Sequence, residues 1–142
     1  MDYIKHTIIP KIYKKRLRNS VKGDFGRILC IAGSEDYAGA ASLSANAALS
    51  TLRTGVDIVT IVAPEKVAYA INSLTPDIIS KKIKGTFFSK EHVDQVLDIS
   101  DDFDCILIGP GIGQRDETFI FINEITSKAK KDLIVDADAI KA

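Results

Sequence analysis

The sequence contains few of the residues that build disulfide frameworks or zinc sites. Only two cysteines, Cys30 and Cys105, and two histidines, His6 and His92, occur among its 142 residues. Both cysteines lie inside apolar runs, where a thiol usually packs as a small hydrophobic side chain. The histidines fall in segments typical of solvated helices, and no Ser-His-Asp or Cys-His order is present. We therefore expect no disulfide scaffold, no zinc centre and no nucleophilic catalysis.

The chain also lacks an excess of charge of either sign and a long apolar run. Nineteen Lys and Arg balance nineteen Asp and Glu, so no net charge attracts the whole protein to nucleic acid or to an anionic membrane. No apolar stretch approaches the roughly 18 residues that cross a bilayer, and no signal-peptide segment opens the sequence. These absences predict a cytoplasmic protein with neither a nucleic-acid nor a membrane partner.

The composition that remains is that of one globular domain. The chain is 46% hydrophobic and 27% charged, and its length suits a single domain with a real core. Basic charge concentrates at the amino terminus, because residues 1–27 carry eight Lys and Arg against Asp2 and Asp24. We interpret residues 1–21 as a basic helix or arm with a solvated face, and residues 22–142 as the globular part.

Buried strands and helices alternate along the globular part. Apolar and β-branched runs predict strands over residues 27–32, 57–63, 77–83, 104–108 and 133–135. Helical patterns connect them over residues 40–52, 65–74, 90–99 and 117–128. The alternation predicts an α/β fold, in which right-handed crossovers place helices on both faces of a mostly parallel sheet.

Three segments that follow predicted strands have the composition of a binding site. They are the glycine-rich residues 33–40 and 109–113 and the acidic residues 136–138. Ligands of open parallel sheets bind outside the carboxyl ends of the strands, so we expect the three segments to converge on one rim.

Neither glycine-rich segment is a standard nucleotide motif. Five residues separate Gly33 from Gly39, and Ala40 stands where a P-loop needs lysine. The third glycine of a Rossmann fingerprint would fall on Gln114, and Pro110 removes a backbone donor. The glycines of residues 109–113 either let backbone amides approach a ligand or close a tight turn.

Asp136 and Asp138 also allow two interpretations. If the last strand continues through them, both carboxylates point to one face, where they could share a magnesium ion or order a polar ligand. Alternatively, Asp138 caps the next helix and Asp136 accepts backbone hydrogen bonds.

Taken in order, the motifs of the chain resemble those of one enzyme family. KGDFGR at residues 22–27 precedes GS at 33–34, YAGA at 37–40, GPGIG at 109–113 and DADAI at 136–140. This series is similar to the ADP- or ATP-dependent NAD(P)H-hydrate dehydratases, a branch of the ribokinase-like superfamily. The resemblance implies a three-layer ribokinase-like fold, of which residues 22–142 are the truncated, amino-terminal half of a carbohydrate-kinase-like domain.

The resemblance also implies an activity, namely the repair of hydrated NADH and NADPH, abbreviated NAD(P)HX. In that reaction ADP or ATP, with Mg²⁺, phosphorylates the hydroxyl that water has added to the nicotinamide ring, and loss of phosphate restores the ring. The residues that match the family's contacts to the hydrated cofactor are Ala40, Gly109, Gly111 and Gly113. Asp136 and Asp138 match its phosphate or metal region.

The family's catalytic aspartate has no counterpart here. It belongs to a Gly-Thr-Gly-Asp motif that does not occur in the 142 residues, and Lys141 stands where the family commonly has asparagine. We therefore expect this chain alone to be inactive, and an exposed sheet edge to allow homo-oligomers. The alternatives are a kinase of the same superfamily, acting on a vitamin precursor or a sugar, and a non-catalytic nucleotide-binding module.

Overall fold

The computed structural model describes residue 13 and residues 16–142. Within these residues five strands form one sheet: β1 (Arg27–Ile31), β2 (Ile58–Pro64), β3 (Ile79–Ile83), β4 (Cys105–Ile108) and β5 (Asp132–Val135). Their order is β3-β2-β1-β4-β5, and every neighbouring pair is parallel. The predicted parallel α/β sheet is confirmed.

Helices connect the strands as the alternation predicts. The α-helices are α1 (Ala38–Ser50), α2 (Glu65–Leu74), α3 (Val93–Ser100) and α4 (Asp116–Lys128). Short 3₁₀ helices cover Thr51–Thr54, Lys90–His92 and Ala137–Lys141. After the first of these, Gly55 takes a φ of 117°, a left-handed conformation that ends the helical segment.

The two faces of the sheet carry separate cores. On one face α3 and α4 pack on the sheet, with Phe88, Phe121 and Ile125 among the buried side chains. On the other face α1 and α2 pack through small residues, and Ala41 and Ala45 are fully buried. Alternate residues of each strand serve opposite faces, which explains the continuous apolar runs in the sequence.

The KGDFGR motif lies at the amino end of the sheet, away from the rim where ligands are expected. The N–H groups of Gly23 and Phe25 each donate to Asp57 Oδ2 at 3.0 Å, directly before β2. Arg16 Nη2 lies 3.3 Å from Asp57 Oδ1. The position of the motif therefore indicates a structural role, in which it fastens the chain that enters β1 to the chain that enters β2.

Burial alone would raise the pKa of Asp57, whose side chain is 9% exposed. The two backbone hydrogen bonds and the Arg16 guanidinium outweigh burial, so the pKa lies below its ordinary value. The carboxylate therefore contributes to stability in its charged form.

The predicted basic helix at residues 1–21 falls mostly outside the described residues. Residues 16–21, which are described, contain a turn and no helix. In the part of the chain that the structure describes, no helix is long and apolar enough to span a membrane.

Candidate functional site

Hydrogen bonds join the three predicted segments at the carboxyl ends of β1, β4 and β5. The Gly33 N–H donates to Pro110 O at 3.0 Å, and Ser34 Oγ donates to Gly111 O at 2.9 Å. The Gly113 N–H donates to Asp138 Oδ2 at 3.3 Å. The predicted convergence on one rim is therefore confirmed, and we call this rim, formed by residues 33–40, 109–115 and 136–138, the candidate site.

Two glycines of the GPGIG loop are needed for packing within the protein. A Cβ at Gly109 would lie 1.9 Å from Asp136 O, and a Cβ at Gly111 would lie 2.8 Å from both Ala40 Cβ and Tyr37 O. Both residues also have positive φ angles, 127° and 64°. Close approach of the three segments therefore explains why no side chain is present at these positions. Direct contact of either glycine with a ligand stays a prediction.

Other groups of the candidate site face open space. A Cβ at Gly39, in the first turn of α1, would meet no atom within 4 Å, and at Gly113 the nearest atom would be Ser34 Oγ at 3.7 Å. Gly111, by contrast, is buried, although its N–H has no hydrogen-bond acceptor among the described residues. The first backbone N–H groups of α1 have no partner within the helix, and such amides favour a negatively charged or carbonyl oxygen, so this part of the rim can accept a ligand.

Asp136 and Asp138 do not follow the extended-strand interpretation. β5 ends at Val135, and Ala137 has a φ of 52°, which breaks the alternation of side chains. Asp138 turns toward the GPGIG loop and also accepts a hydrogen bond from Gln114 Nε2 at 2.8 Å. Asp136 is exposed and lies at the N-cap position of the last 3₁₀ helix, but its side chain makes no capping hydrogen bond. Neither aspartate therefore caps that helix through its side chain, and only Asp136 projects freely.

A fourth segment, which the sequence analysis did not include, also reaches the rim. Residues 84–89 follow β3, and Thr86 O accepts a hydrogen bond from the Glu35 N–H at 2.9 Å. The Arg115 guanidinium lies 4.5 Å from the centroid of the Phe87 ring and 3.2 Å from Glu35 Oε1. The position of Gly85 directly after a strand is the signal that could have identified this segment.

His92 holds the fourth segment in place. Its Nδ1 accepts a hydrogen bond from the Ser89 N–H at 3.1 Å, and its Nε2 donates to Lys84 O at 2.9 Å. The side chain is half-buried rather than solvated, unlike the sequence-based expectation. His92 therefore stabilises a loop, and it borders a cavity of about 390 Å³ that Phe87 and Glu117 also line.

The donor set of the candidate site provides little for a metal ion by itself. Among the described residues no three Asp, Glu, His or Cys side chains form a cluster that could hold a metal. Mg²⁺, however, is commonly held by one or two carboxylates together with the phosphates of a nucleotide. The free carboxylate of Asp136 fits that mode of binding.

Comparison with known proteins identifies the family to which this chain is related. Residues 28–142 match the profile of the carbohydrate-kinase-like NAD(P)H-hydrate dehydratases. The chain belongs to the NAD(P)H-hydrate dehydratase family. The resemblance to this family is thereby confirmed, and the match runs from Ile28 in β1, directly after the KGDFGR motif, to residue 142.

Individual members of the family agree with this assignment. The bifunctional NAD(P)H-hydrate repair enzyme of Pyrobaculum aerophilum is 40% identical over 129 residues, which are 89% of this chain and 25% of that protein. The ADP/ATP-dependent dehydratase of Bacillus subtilis, co-crystallized with ATP and Mg²⁺, superimposes with a TM-score of 0.68 at 26% identity. A ribokinase-like protein of Enterococcus faecalis superimposes with a TM-score of 0.75 at 24% identity, which supports the fold.

The chain spans only part of these relatives. The superposition on the Bacillus subtilis dehydratase includes 95% of this chain but 45% of that protein. The superposition on the Enterococcus faecalis protein includes 98% of this chain but 46% of that protein. The described fold therefore corresponds to about half the length of these solved chains.

Proposed function

We propose that the domain to which this chain belongs repairs hydrated NADH and NADPH at the expense of ADP or ATP. The phosphoryl group passes from the nucleotide to the added hydroxyl, and departure of phosphate with loss of a ring proton restores the dihydronicotinamide. The observation that supports this most strongly is the junction of residues 33–40, 109–113 and 136–138 at one rim of a dehydratase-family sheet. A cytoplasmic location belongs to the same proposal.

The substrate would lie over the first turn of α1 and the GPGIG loop. Ala40, Gly109, Gly111 and Gly113 are the proposed substrate-binding residues. Gly39 and Gly113 leave space for the ligand, and the N–H groups in the first turn of α1 offer donors to a pyrophosphate or amide oxygen. Gly109 and Gly111 would act through their backbone, because their Cα atoms already face Asp136 and Ala40.

Asp136 and Asp138 would have different tasks in the phosphate region. Asp138 is a positioning residue, because its carboxylate holds Gly113 and Gln114 and pairs with Lys141 Nζ at 3.3 Å. Asp136 is free to bind Mg²⁺ together with nucleotide phosphates, and the bound ion would neutralise phosphate charge. The remaining donors for the phosphoryl group would come from residues outside this chain.

Gly39→Leu tests the proposed substrate position. The new side chain would enter open space at the candidate site, so we expect the fold to persist and the affinity for hydrated NADH to fall at least about tenfold. Ala70→Leu, at an exposed position of α2, is the matched control and should bind as the parent chain does. Isothermal titration of each chain with hydrated NADH measures the difference. Equal affinity of all three chains would exclude this part of the rim from the binding site.

A further inference from the structure

Arg115 is the only basic residue of the candidate site, whose residues are all described. The same segments carry four carboxylates, those of Glu35, Asp36, Asp136 and Asp138. The pyrophosphate of a dinucleotide is negatively charged, so these carboxylates repel it, whereas a guanidinium attracts it. Arg115 is therefore the one side chain of the candidate site whose charge favours such a ligand.

Contacts with two other loops fix the orientation of the Arg115 side chain. Its guanidinium lies over the Phe87 ring, 4.5 Å from the centroid, and its Nη2 donates to Glu35 Oε1 at 3.2 Å. The Glu35 N–H donates in turn to Thr86 O at 2.9 Å, which joins these two loops to each other. A guanidinium held in this way loses less conformational entropy when it binds a ligand than a freely rotating one does.

Most hydrogen-bond donors of Arg115 are not used within the protein. A guanidinium has five N–H donors in one plane, and among the described residues the side chain of Arg115 makes one hydrogen bond, to Glu35. The side chain is 49% exposed. Arginine commonly recognises phosphate through two parallel N–H donors. The free edge of the guanidinium can therefore bind a phosphate while Phe87 and Glu35 keep it in place.

The position of Arg115 connects it with the open part of the rim. It is the N-cap residue of α4, two residues after Gly113, where a Cβ would meet open space. The first N–H groups of α4 have no partner within the helix and favour an anion, but Asp116 and Glu117 in the same turn oppose one. The backbone amides alone therefore do not make this end of α4 attractive to phosphate, and the Arg115 guanidinium decides the balance.

We propose that Arg115 binds a phosphate group of the hydrated dinucleotide, and that Phe87 and Glu35 are its positioning residues. The phosphate belongs either to the pyrophosphate, which hydrated NADH and hydrated NADPH share, or to the 2′-phosphate, which only hydrated NADPH carries and for which arginine is a common partner. The identity of the ligand rests on the proposed function. The affinity of Arg115 for phosphate has a test of its own.

Inorganic pyrophosphate tests this anion site without the substrate, and EDTA in the titration prevents Mg²⁺ from linking pyrophosphate to Asp136. An NMR titration of the 142-residue chain should show binding, and Arg115→Gln should weaken it at least about tenfold. Arg53→Gln is the matched control and should bind as the parent chain does, because Arg53 is exposed and precedes β2 at the opposite end of the sheet. Equal affinity of the parent chain and Arg115→Gln, or no binding to the parent chain, would overturn the proposal.

Glu35→Gln distinguishes phosphate binding from a purely structural role of the ion pair. The neutral amide competes less for the guanidinium and does not repel phosphate, so this variant should bind pyrophosphate more tightly than the parent chain. Both side chains are about half exposed, so neither variant should shift the midpoint of urea unfolding appreciably. If the pair served only to hold the loops together, Glu35→Gln and Arg115→Gln would lose affinity alike, and that result would overturn the proposal.

Titrations with hydrated NADH, hydrated NADPH and ADP identify the phosphate. Weaker binding of both hydrated dinucleotides to Arg115→Gln would assign Arg115 to the pyrophosphate, and weaker binding of hydrated NADPH alone would assign it to the 2′-phosphate. A loss of affinity for ADP alone, or equal binding of the hydrated dinucleotides to both chains, would overturn the proposal and leave the proposed function intact. If Arg115 governs pyrophosphate binding but the parent chain binds neither hydrated dinucleotide, the anion site is real, and the assigned ligand is wrong together with the proposed function.

Discussion

At the scale of single residues, glycines of similar conformation have different reasons to be glycine. Gly109 and Gly85 both have positive φ angles, 127° and 91°. A Cβ at Gly109 would collide with Asp136 O, whereas a Cβ at Gly85 would meet nothing within 4 Å. Backbone conformation alone explains Gly85, while Gly109 also permits the close approach of two loops.

This difference predicts unequal costs for the same substitution. Gly109→Ala should lower the free energy of unfolding by about 3 kcal/mol, since a left-handed alanine costs about 1–2 kcal/mol and overpacking adds a similar amount. Gly85→Ala should cost only about 1 kcal/mol. Urea unfolding followed by circular dichroism measures both. Equal losses would show that the loop around Gly109 relaxes without cost.

Asp57 should make stability depend on pH. Its pKa is lowered on folding, so its contribution is complete above the unfolded pKa of about 3.9 and disappears as pH falls through the lower folded value. Asp57→Asn should therefore be less stable than the parent chain at neutral pH, and the gap should narrow in acid. Urea midpoints measured from pH 7 downward test this. The exposed Asp98→Asn is the control, and a gap that widens in acid would contradict the assigned ion pair.

At the scale of elements, α4 is held on the sheet by one side only. Phe121 is fully buried and stacks on Phe88 with ring centroids 4.8 Å apart, whereas the preceding Ile120 is about half exposed. Because α4 begins beside the candidate site, its packing also fixes the position of Arg115 and the GPGIG loop. The site therefore depends on a core that lies below it.

Neighbouring positions of α4 provide a matched pair of substitutions. Phe121→Ala should destabilise the chain by about 3–5 kcal/mol, because it leaves a cavity against Phe88. Ile120→Ala should change stability by less than about 0.5 kcal/mol. Thermal or urea unfolding distinguishes them, and similar effects of the two would mean that α4 is oriented differently.

At the scale of the whole molecule, the candidate site lacks part of the chemistry that the family resemblance implies. The described rim supplies free amides and one free carboxylate, but the Gly-Thr-Gly-Asp motif does not occur in the sequence. Stabilisation of a transferred phosphoryl group depends on preorganised donors, and the donors of that motif are not in this sequence.

We therefore predict that the 142-residue chain alone does not restore NADH from its hydrate with either ADP or ATP. Recovery of NADH absorbance measures the reaction, and the Bacillus subtilis dehydratase serves as the positive control. Turnover by the chain alone would show that the missing motif is not required. Activity that appears on co-expression with the remaining part of the Bacillus subtilis enzyme would support the proposed function.

Local sequence was sufficient for the strands and most helices of this protein. Apolar runs such as residues 27–32 and 57–63 identify buried parallel strands, because both faces of the sheet are covered there. Local sequence was also sufficient to predict the shared rim, since loops at the carboxyl ends of parallel strands meet at one edge. The motif order further indicated the family, which the profile match confirmed.

The roles of particular residues in the rim and at the amino end were decided by tertiary structure. Gly111 and Ala40 are 71 positions apart in the chain, so no local pattern reveals that they touch. Asp138 leaves its expected face because Ala137 turns the backbone and Gly113 provides a donor from another loop. Asp57 likewise acquires its lowered pKa from Gly23, Phe25 and Arg16, none of which is a sequence neighbour. Composition and periodicity determine which elements form, whereas contacts between distant segments determine what each polar residue does.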